Sequence, residues 1–310
     1  MTSVVTELLK KMTRKELFEL ADRRGINVPV EWSEQLLVDL LSLNVSVNDI
    51  NKKKTTNYKI KPTGSPILET RDLVKKFDDI TAIDKLNLEI MEGELFSLLG
   101  PNGAGKTTTI NILTGIMKPT NGTATIAGFD VTENMNEIKK LIGVCPQEAA
   151  VFQFLNAKEN VELIGNLHSL SKKDIEERTT SFLELLGLTE ASQRKAGGYS
   201  GGMLRKLNLM MALINDPKIA FLDEPTVGMD ARSRRNTWEF IGSLKGENKT
   251  IILTTHYIEE AETLSDRVGI IDSGKLIEIG TPDELKNKYS VRNLEQVFLN
   301  ITGRRITEGL

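Results

Sequence analysis

The sequence predicts an α/β fold on three observations. A glycine-rich loop, Gly100, Pro101, Asn102, Gly103, Ala104 and Gly105 followed by Lys106, Thr107 and Thr108, stands between an apolar run (Leu95, Phe96, Leu98, Leu99) and a segment continuing to Leu113, which reads as strand, loop, helix. Two further apolar strands, Ile219 to Leu222 and Thr250 to Thr255, end in the polar tips Asp223-Glu224 and His256. Amphipathic helical stretches lie between the loop and these strands, at Asn156 to Leu170, at Lys172 to Leu186 and around Leu204, Leu207 and Met211.

Composition bounds the function. With 310 residues, 39% hydrophobic and 27% charged, the chain can build a full core, and its length suits one large domain with a small addition. Lys and Arg number 40 against 43 Asp and Glu, a net charge of −3, so no global basic field recruits nucleic acid or anionic lipid, and any such contact is local. The single cysteine, Cys145, excludes an internal disulfide, fits a reducing compartment and reads as a buried small residue rather than a nucleophile. The apolar runs, such as Leu209 to Ile214, are far short of a membrane span, and Lys10 and Lys11 interrupt the start before a signal h-region forms, so a soluble chain is expected.

In chain order, Val4, Val5, Leu8, Leu9 and Met12 share one helical face, and Thr13 to Glu16 is a capping box for a second helix ending near Gly25. An extended link from Ile26 to Pro29 precedes a helix marked by Leu36, Leu37, Leu40 and Leu41, giving a small helical module over 1–44. The module resembles the helix-extended-loop-helix units of nucleic-acid-binding proteins, or serves as a docking or solubilising appendage. Residues 45–65, with Lys52, Lys53, Lys54, Lys59 and Lys61, have no apolar periodicity and read as a linker whose lysines are solvated or attract anionic head groups. Short strands then begin at Leu68 to Val74 and Ala82 to Ile90, with Phe77 between them, open between a core aromatic and a functional one.

Further on, Gln147 follows a short apolar strand ending at Val144-Cys145. A second glycine-rich helix start, Tyr199, Ser200, Gly201, Gly202, Met203, has no lysine of its own. Ser273-Gly274 joins two strands as a hairpin, and Thr281-Pro-Asp-Glu284 is a capping box opening a last helix. The chemistry follows from residue type. Glycines let backbone N–H groups close around a phosphate at a positive helix end, Lys106 adds a point charge, and the Thr107 hydroxyl suits Mg²⁺. Of the carboxylates at the strand tip, one can hold Mg²⁺ while the other works as a base. His256 sits where a phosphate contact belongs, whereas His168, on a polar-apolar helix, reads as a surface residue.

Taken in order, the glycine loop, Gln147, Tyr199-Ser-Gly-Gly-Met203, Leu222-Asp-Glu224, Gly228-Met-Asp230 and His256 resemble the ATP-binding cassette of ABC transporters over roughly residues 67 to 303. Tyr199 and Met203 stand where that family usually has leucine and glutamine, and with the ending Asn293 to Gly303 they are similar to its drug-resistance and type-2 export branch. The resemblance implies a P-loop NTPase core with a mostly parallel sheet, an antiparallel β subdomain and a helical signature subdomain over 66–285, with a C-terminal helical tail over 286–310. It implies that Phe77 stacks on adenine, that Lys106 and His256 hold the γ-phosphate, that Thr107, Gln147 and Asp223 hold Mg²⁺, and that Glu224 directs the attacking water. It further implies two cassettes paired head to tail, each glycine loop facing the partner's Ser200, Gly201 and Gly202, with Asp230 crossing between them. A separate membrane-spanning permease, contacted by the Gln147 turn and the helices after it, places the subunit on the cytoplasmic face of the membrane. The alternative is a soluble cassette ATPase acting on nucleic acid or ribosomes, for which the N-terminal module and Lys52 to Lys54 speak.

Overall fold

The computed structural model describes residues 66–245 and 249–303 together with Leu17, and the chain divides into two units, Met1–Lys61 and Pro62–Leu310. Apart from Leu17, a buried helical residue, the module expected over 1–44 and the linker over 45–65 lie outside the described residues. The second unit opens with β1 (Pro66–Phe77) and β2 (Ile80–Met91), then passes through β3 (Leu95–Leu99) into α1 (Lys106–Leu113). It continues through β4 (Asn121–Ile126), β5 (Phe129–Asp130), α2 (Met135–Ile138) and β6 (Ile142–Cys145). Next come α3 (Ala157–Leu167), α4 (Lys172–Leu185), a 3₁₀ turn (Ala196–Gly198), α5 (Gly201–Leu213), β7 (Ile219–Asp223), α6 (Ala231–Lys245), β8 (Thr250–Thr255) and α7 (Ile258–Leu264). The described chain closes with β9 (Arg267–Asp272), β10 (Lys275–Gly280), α8 (Pro282–Lys288) and α9 (Leu294–Thr302).

Two sheets result. One is antiparallel in the order β2-β1-β4-β5, and the other runs β10-β9-β3-β8-β7-β6, parallel throughout except for the β9–β10 hairpin. This is the expected α/β arrangement of a mostly parallel sheet with an antiparallel one beside it. Side chains alternate across β7: Ile219 and Phe221 join a core with Ile110, Ile112 and Leu113 of α1 and Leu68, Ile83 and Leu86 of the antiparallel sheet. Ala220 and Leu222 face the other way, onto Leu207, Met210, Phe240 and Ile241 of α5 and α6. Each such fully buried Leu, Ile or Phe contributes about 1.5–3 kcal/mol, so α1 is held firmly between the two sheets.

Local signals act where the sequence places them. Asn156 and Glu159 form a reciprocal capping box at α3, and Thr281 and Glu284 form one at α8. After α8, however, the chain holds a further helix. Ser290 adopts φ +55, which ends α8, and Asn293 accepts from the Gln296 amide at 3.0 Å to start α9. The boundary at 285–286 therefore falls inside α8, and Leu285, Leu294, Val297 and Phe298 share one core with Leu99, Val268 and Ile270. Among the described residues no helix is long and apolar enough to cross a membrane.

Candidate active site

Parallel pairing brings the strand tips level: Leu98 pairs with Thr254, and Thr254 with Asp223, so the loop after β3, the acids of β7 and His256 after β8 emerge at one edge. The loop closes on backbone. Gly105 caps α1 at φ +103, and a Cβ there would stand 2.6 Å from the Ala82 carbonyl oxygen of β2. Across the same carbonyl, a Cβ on Gly274 of the β9–β10 turn would stand 2.8 Å away, while the Gly274 amide donates to the Ala104 carbonyl at 3.0 Å. The first turn of α1 carries no acidic residue and no side-chain cap, a setting that suits an anion.

Asn102, Gly103, Gly105, Lys106, Thr107, Thr108, Gln147 and Glu224 line one cleft of about 220 Å³, together with Ala82. Glu224 is its hub. Lys106 Nζ and His256 Nδ1 each lie 3.1 Å from Glu224 Oε1, and Gln147 Nε2 donates to Oε2 at 3.2 Å. Lys106 also donates to the carbonyls of Gly100 and Pro101 at 2.8 and 3.0 Å. Glu224 stands at φ +49, a strained conformation for a residue with a side chain, and its amide reaches back to Thr254. Burial pushes its pKa up, but the His256 hydrogen bond and the charges of Lys106 and His256 outweigh burial and hold the carboxyl below its ordinary range.

Asp223 behaves oppositely. Burial dominates and raises its pKa, against the hydrogen bonds from Thr254 and Thr107, and the neighbouring Glu224 charge raises it further. The Thr107 hydroxyl oxygen also lies 3.4 Å from Gln147 Oε1. Thr107, Gln147 and Asp223 thus offer hydroxyl, amide and carboxylate oxygens, a donor chemistry that suits Mg²⁺, which is bound through few protein ligands plus substrate phosphate and water.

Other expected residues lie elsewhere. Phe77 ends β1 opposite Ile80, is 41% exposed with Lys75 Nζ 5.0 Å from its ring centre, and so is not a core aromatic. Ser200, Gly201 and Gly202 are outside the lining of the Lys106 cleft. Ser200 caps α5, accepting from the Met203 amide at 3.3 Å, and a Cβ on Gly202 would contact Met229 at 3.6 Å. Asp230 is exposed and accepts from the Ser233 and Arg232 amides at 3.0 and 3.1 Å. Cys145 is buried, and burial pushes its thiol up to about 12, which suits packing rather than nucleophilic work. His168 is exposed, as expected.

Sequence reasoning missed Ala82, Thr254 and Glu260. The Glu260 carboxylate is wholly buried and accepts from Thr226 at 2.7 Å and Trp238 Nε1 at 2.9 Å.

The arrangement matches known proteins. The protein-family model described as ABC transporter matches residues 83–227. The chain is 42% identical over 223 residues to the daunorubicin resistance ATP-binding protein DrrA2 of Streptomyces coeruleorubidus, covering 72% of this chain and 69% of that protein. It is 47% identical over 211 residues to ABC transporter A family member 5 of Dictyostelium discoideum, where it spans 68% of this chain and 13% of the much longer relative. Among solved structures, the dimeric post-hydrolysis state of the ATP-binding cassette MJ0796 bound to ADP and Pi superposes with a TM-score of 0.64 at 27% identity, covering 69% of this chain and 98% of that one. A cleft lined by the glycine loop, Gln147 and Glu224, with His256 paired to Glu224 and Asp223 beside it in the chain, together with this extent of likeness, places the chain in the ABC transporter family as an ATP-binding cassette.

Proposed function

We propose that this cassette binds and hydrolyses ATP to drive a separate membrane-spanning permease, as the ATP-binding subunit of an exporter. The convergence of Lys106, Gln147 and His256 on Glu224 carries the reading, because it gathers a phosphate-binding cation, a water-orienting amide and a base at one point. ATP phosphates enter the loop amides and draw Lys106 away from Glu224. The released carboxylate then accepts the proton of the attacking water, and His256 steadies the γ-phosphate. Thr107, Gln147 and Asp223 would hold Mg²⁺, which when bound neutralises phosphate charge during transfer. Phe77, beside the strand that carries Ala82, stacks on adenine.

The site is completed by a second cassette. Ser200, Gly201 and Gly202 stand apart from the Lys106 cleft at the N-terminus of α5, which has no acidic residue in its first turn, and there they meet a phosphate held by the facing chain. Asp230, exposed, crosses to that chain. Permease contact falls to the segment after Gln147, where Phe152 is 52% and Phe154 86% exposed, large apolar surface that a partner would cover. Relatives named for daunorubicin resistance support export as the direction and a peripheral place at the cytoplasmic face of the membrane. Purification of the tagged chain from detergent-solubilised membranes tests this. A membrane-spanning partner should copurify, raise ATP turnover, and be lost on Phe152→Ser with Phe154→Ser. Ribosomes or nucleic acid in its place would overturn the proposal.

A further inference from the structure

The helix that begins at Ser200 carries a buried amide in the middle of an otherwise apolar face. Asn208 lies between Leu207 and Leu209, all three buried. A helix turned toward a core at this point would bury leucine at no polar cost, so the amide needs partners. It finds them at both ends of the Gln147 turn. Nδ2 donates to the Pro146 carbonyl at 3.0 Å and to Cys145 Sγ at 3.3 Å, and Oδ1 accepts from the Ala150 amide at 3.2 Å. One turn earlier on the same helix, Arg205 donates to the Pro146 carbonyl at 3.4 Å. The strand leading into the turn is equally close, since a Cβ on Gly143 would stand 1.9 Å from the Ala212 carbonyl. The helix therefore holds β6 by backbone contact and the turn by Asn208.

We infer that Asn208 is a positioning residue that ties the Gln147 turn to the helix led by Ser200, so that the two half-sites borne by one chain move together. This rests on the proposed roles of Gln147 in its own site and of Ser200 in the facing one. Ser200 and Asn208 are roughly 12 Å apart along α5, at 1.5 Å per residue, and a helix of that length transmits displacement as a rigid rod. A shift of Ser200 on meeting the facing phosphate thereby reaches Gln147, whose amide touches both Thr107 and Glu224.

Asn208→Leu tests the tie, because leucine keeps the branch at Cγ and favours the helix but supplies neither donor nor acceptor. Amide exchange across residues 146–152 should speed up about tenfold, with the Ala150 amide freed, while exchange in α1 stays unchanged. Turnover by the assembled complex should fall about tenfold with the Kd for labelled ATP unchanged, and in a Gln147→Ala background the same change should add nothing further. Unchanged exchange over 146–152 would overturn the tie, and that measurement needs no hydrolysis. Effects of Asn208→Leu and Gln147→Ala that multiply independently would overturn action through Gln147. A wild-type complex without turnover would instead count against the proposed ATPase reading, leaving the exchange result to decide the tie on its own.

Discussion

Replacing Glu224 by glutamine should separate nucleotide binding from turnover, because the one carboxylate both pairs with Lys106 and stands as the base. Lys106 and Glu224 form an ion pair at 3.1 Å with both side chains 4% exposed. At an effective dielectric of about 20, two unit charges at that separation attract by roughly 5 kcal/mol. Most of that attraction is offset by desolvation of the two groups, so removing the negative charge should leave Lys106 more available to phosphate by about 1.4 kcal/mol, about tenfold in Kd. Loss of a positioned general base should meanwhile lower turnover by about 10²- to 10⁴-fold. Glu224→Gln should thus bind ATP more tightly and accumulate as an ATP-bound dimer. Equilibrium titration with labelled ATP gives the first quantity, phosphate release from the permease-bound complex the second, and size-exclusion chromatography the third. Weaker ATP binding by the variant than by the wild type would show that Lys106 does not compete between carboxylate and phosphate. Near-normal hydrolysis would show that another group positions the water.

Ser200→Arg and Lys106→Ala should each abolish turnover alone, and mixing them should restore partial activity, because one composite site then carries both lesions and the other carries none. Confirmed mixed dimers without activity would mean that both sites must act together or that Ser200 serves its own chain, which crosslinking of Ser200→Cys to the facing glycine loop resolves. Glu260 gives a pH-dependent outcome. Burial raises its pKa against the hydrogen bonds from Thr255, Thr226 and Trp238, so the folded state holds the proton to higher pH than the unfolded one. Stability from this group is complete below the unfolded carboxylate pKa and is lost as pH rises through the raised folded value. Glu260→Gln should therefore raise Tm by about 3 °C at pH 8 and by less at pH 4, measured by calorimetry, and an equal shift at both pH values would refute the assignment.

Much of this was legible in the sequence because it is local. The glycine loop, the capping box at Thr281 and the Ser273-Gly274 turn are each specified within a few residues, and each forms where its pattern stands. What was not legible depends on strand order. Asn121–Ile126 begins with turn-forming Asn-Gly and offers only Ala124 and Ile126 to the core, so it becomes a strand through pairing with β1. The partners of Glu224 follow from β8 lying between β3 and β7, a long-range fact, and its positive φ has no glycine to announce it. Asn208 reads as an interruption in a leucine-rich face until the turn it holds is beside it.

The Ala82 carbonyl, gripped between Gly105 and Gly274, changes how substitution data on the loop should be interpreted. Neither glycine can accept a methyl group without moving a backbone that belongs to another sheet or hairpin, so loss of nucleotide binding at either position is no measure of phosphate contact. Gly103 is the informative control. It has the positive φ of +80 but no protein atom within 4 Å of a would-be Cβ, and it lines the cleft, so an alanine there reports backbone strain and contact with the nucleotide itself rather than a collision between main-chain segments. A scan that ranks the three positions by damage would therefore map where three segments of main chain meet, and Gly274, far from the phosphate-binding sequence, would rank as if it belonged to the loop.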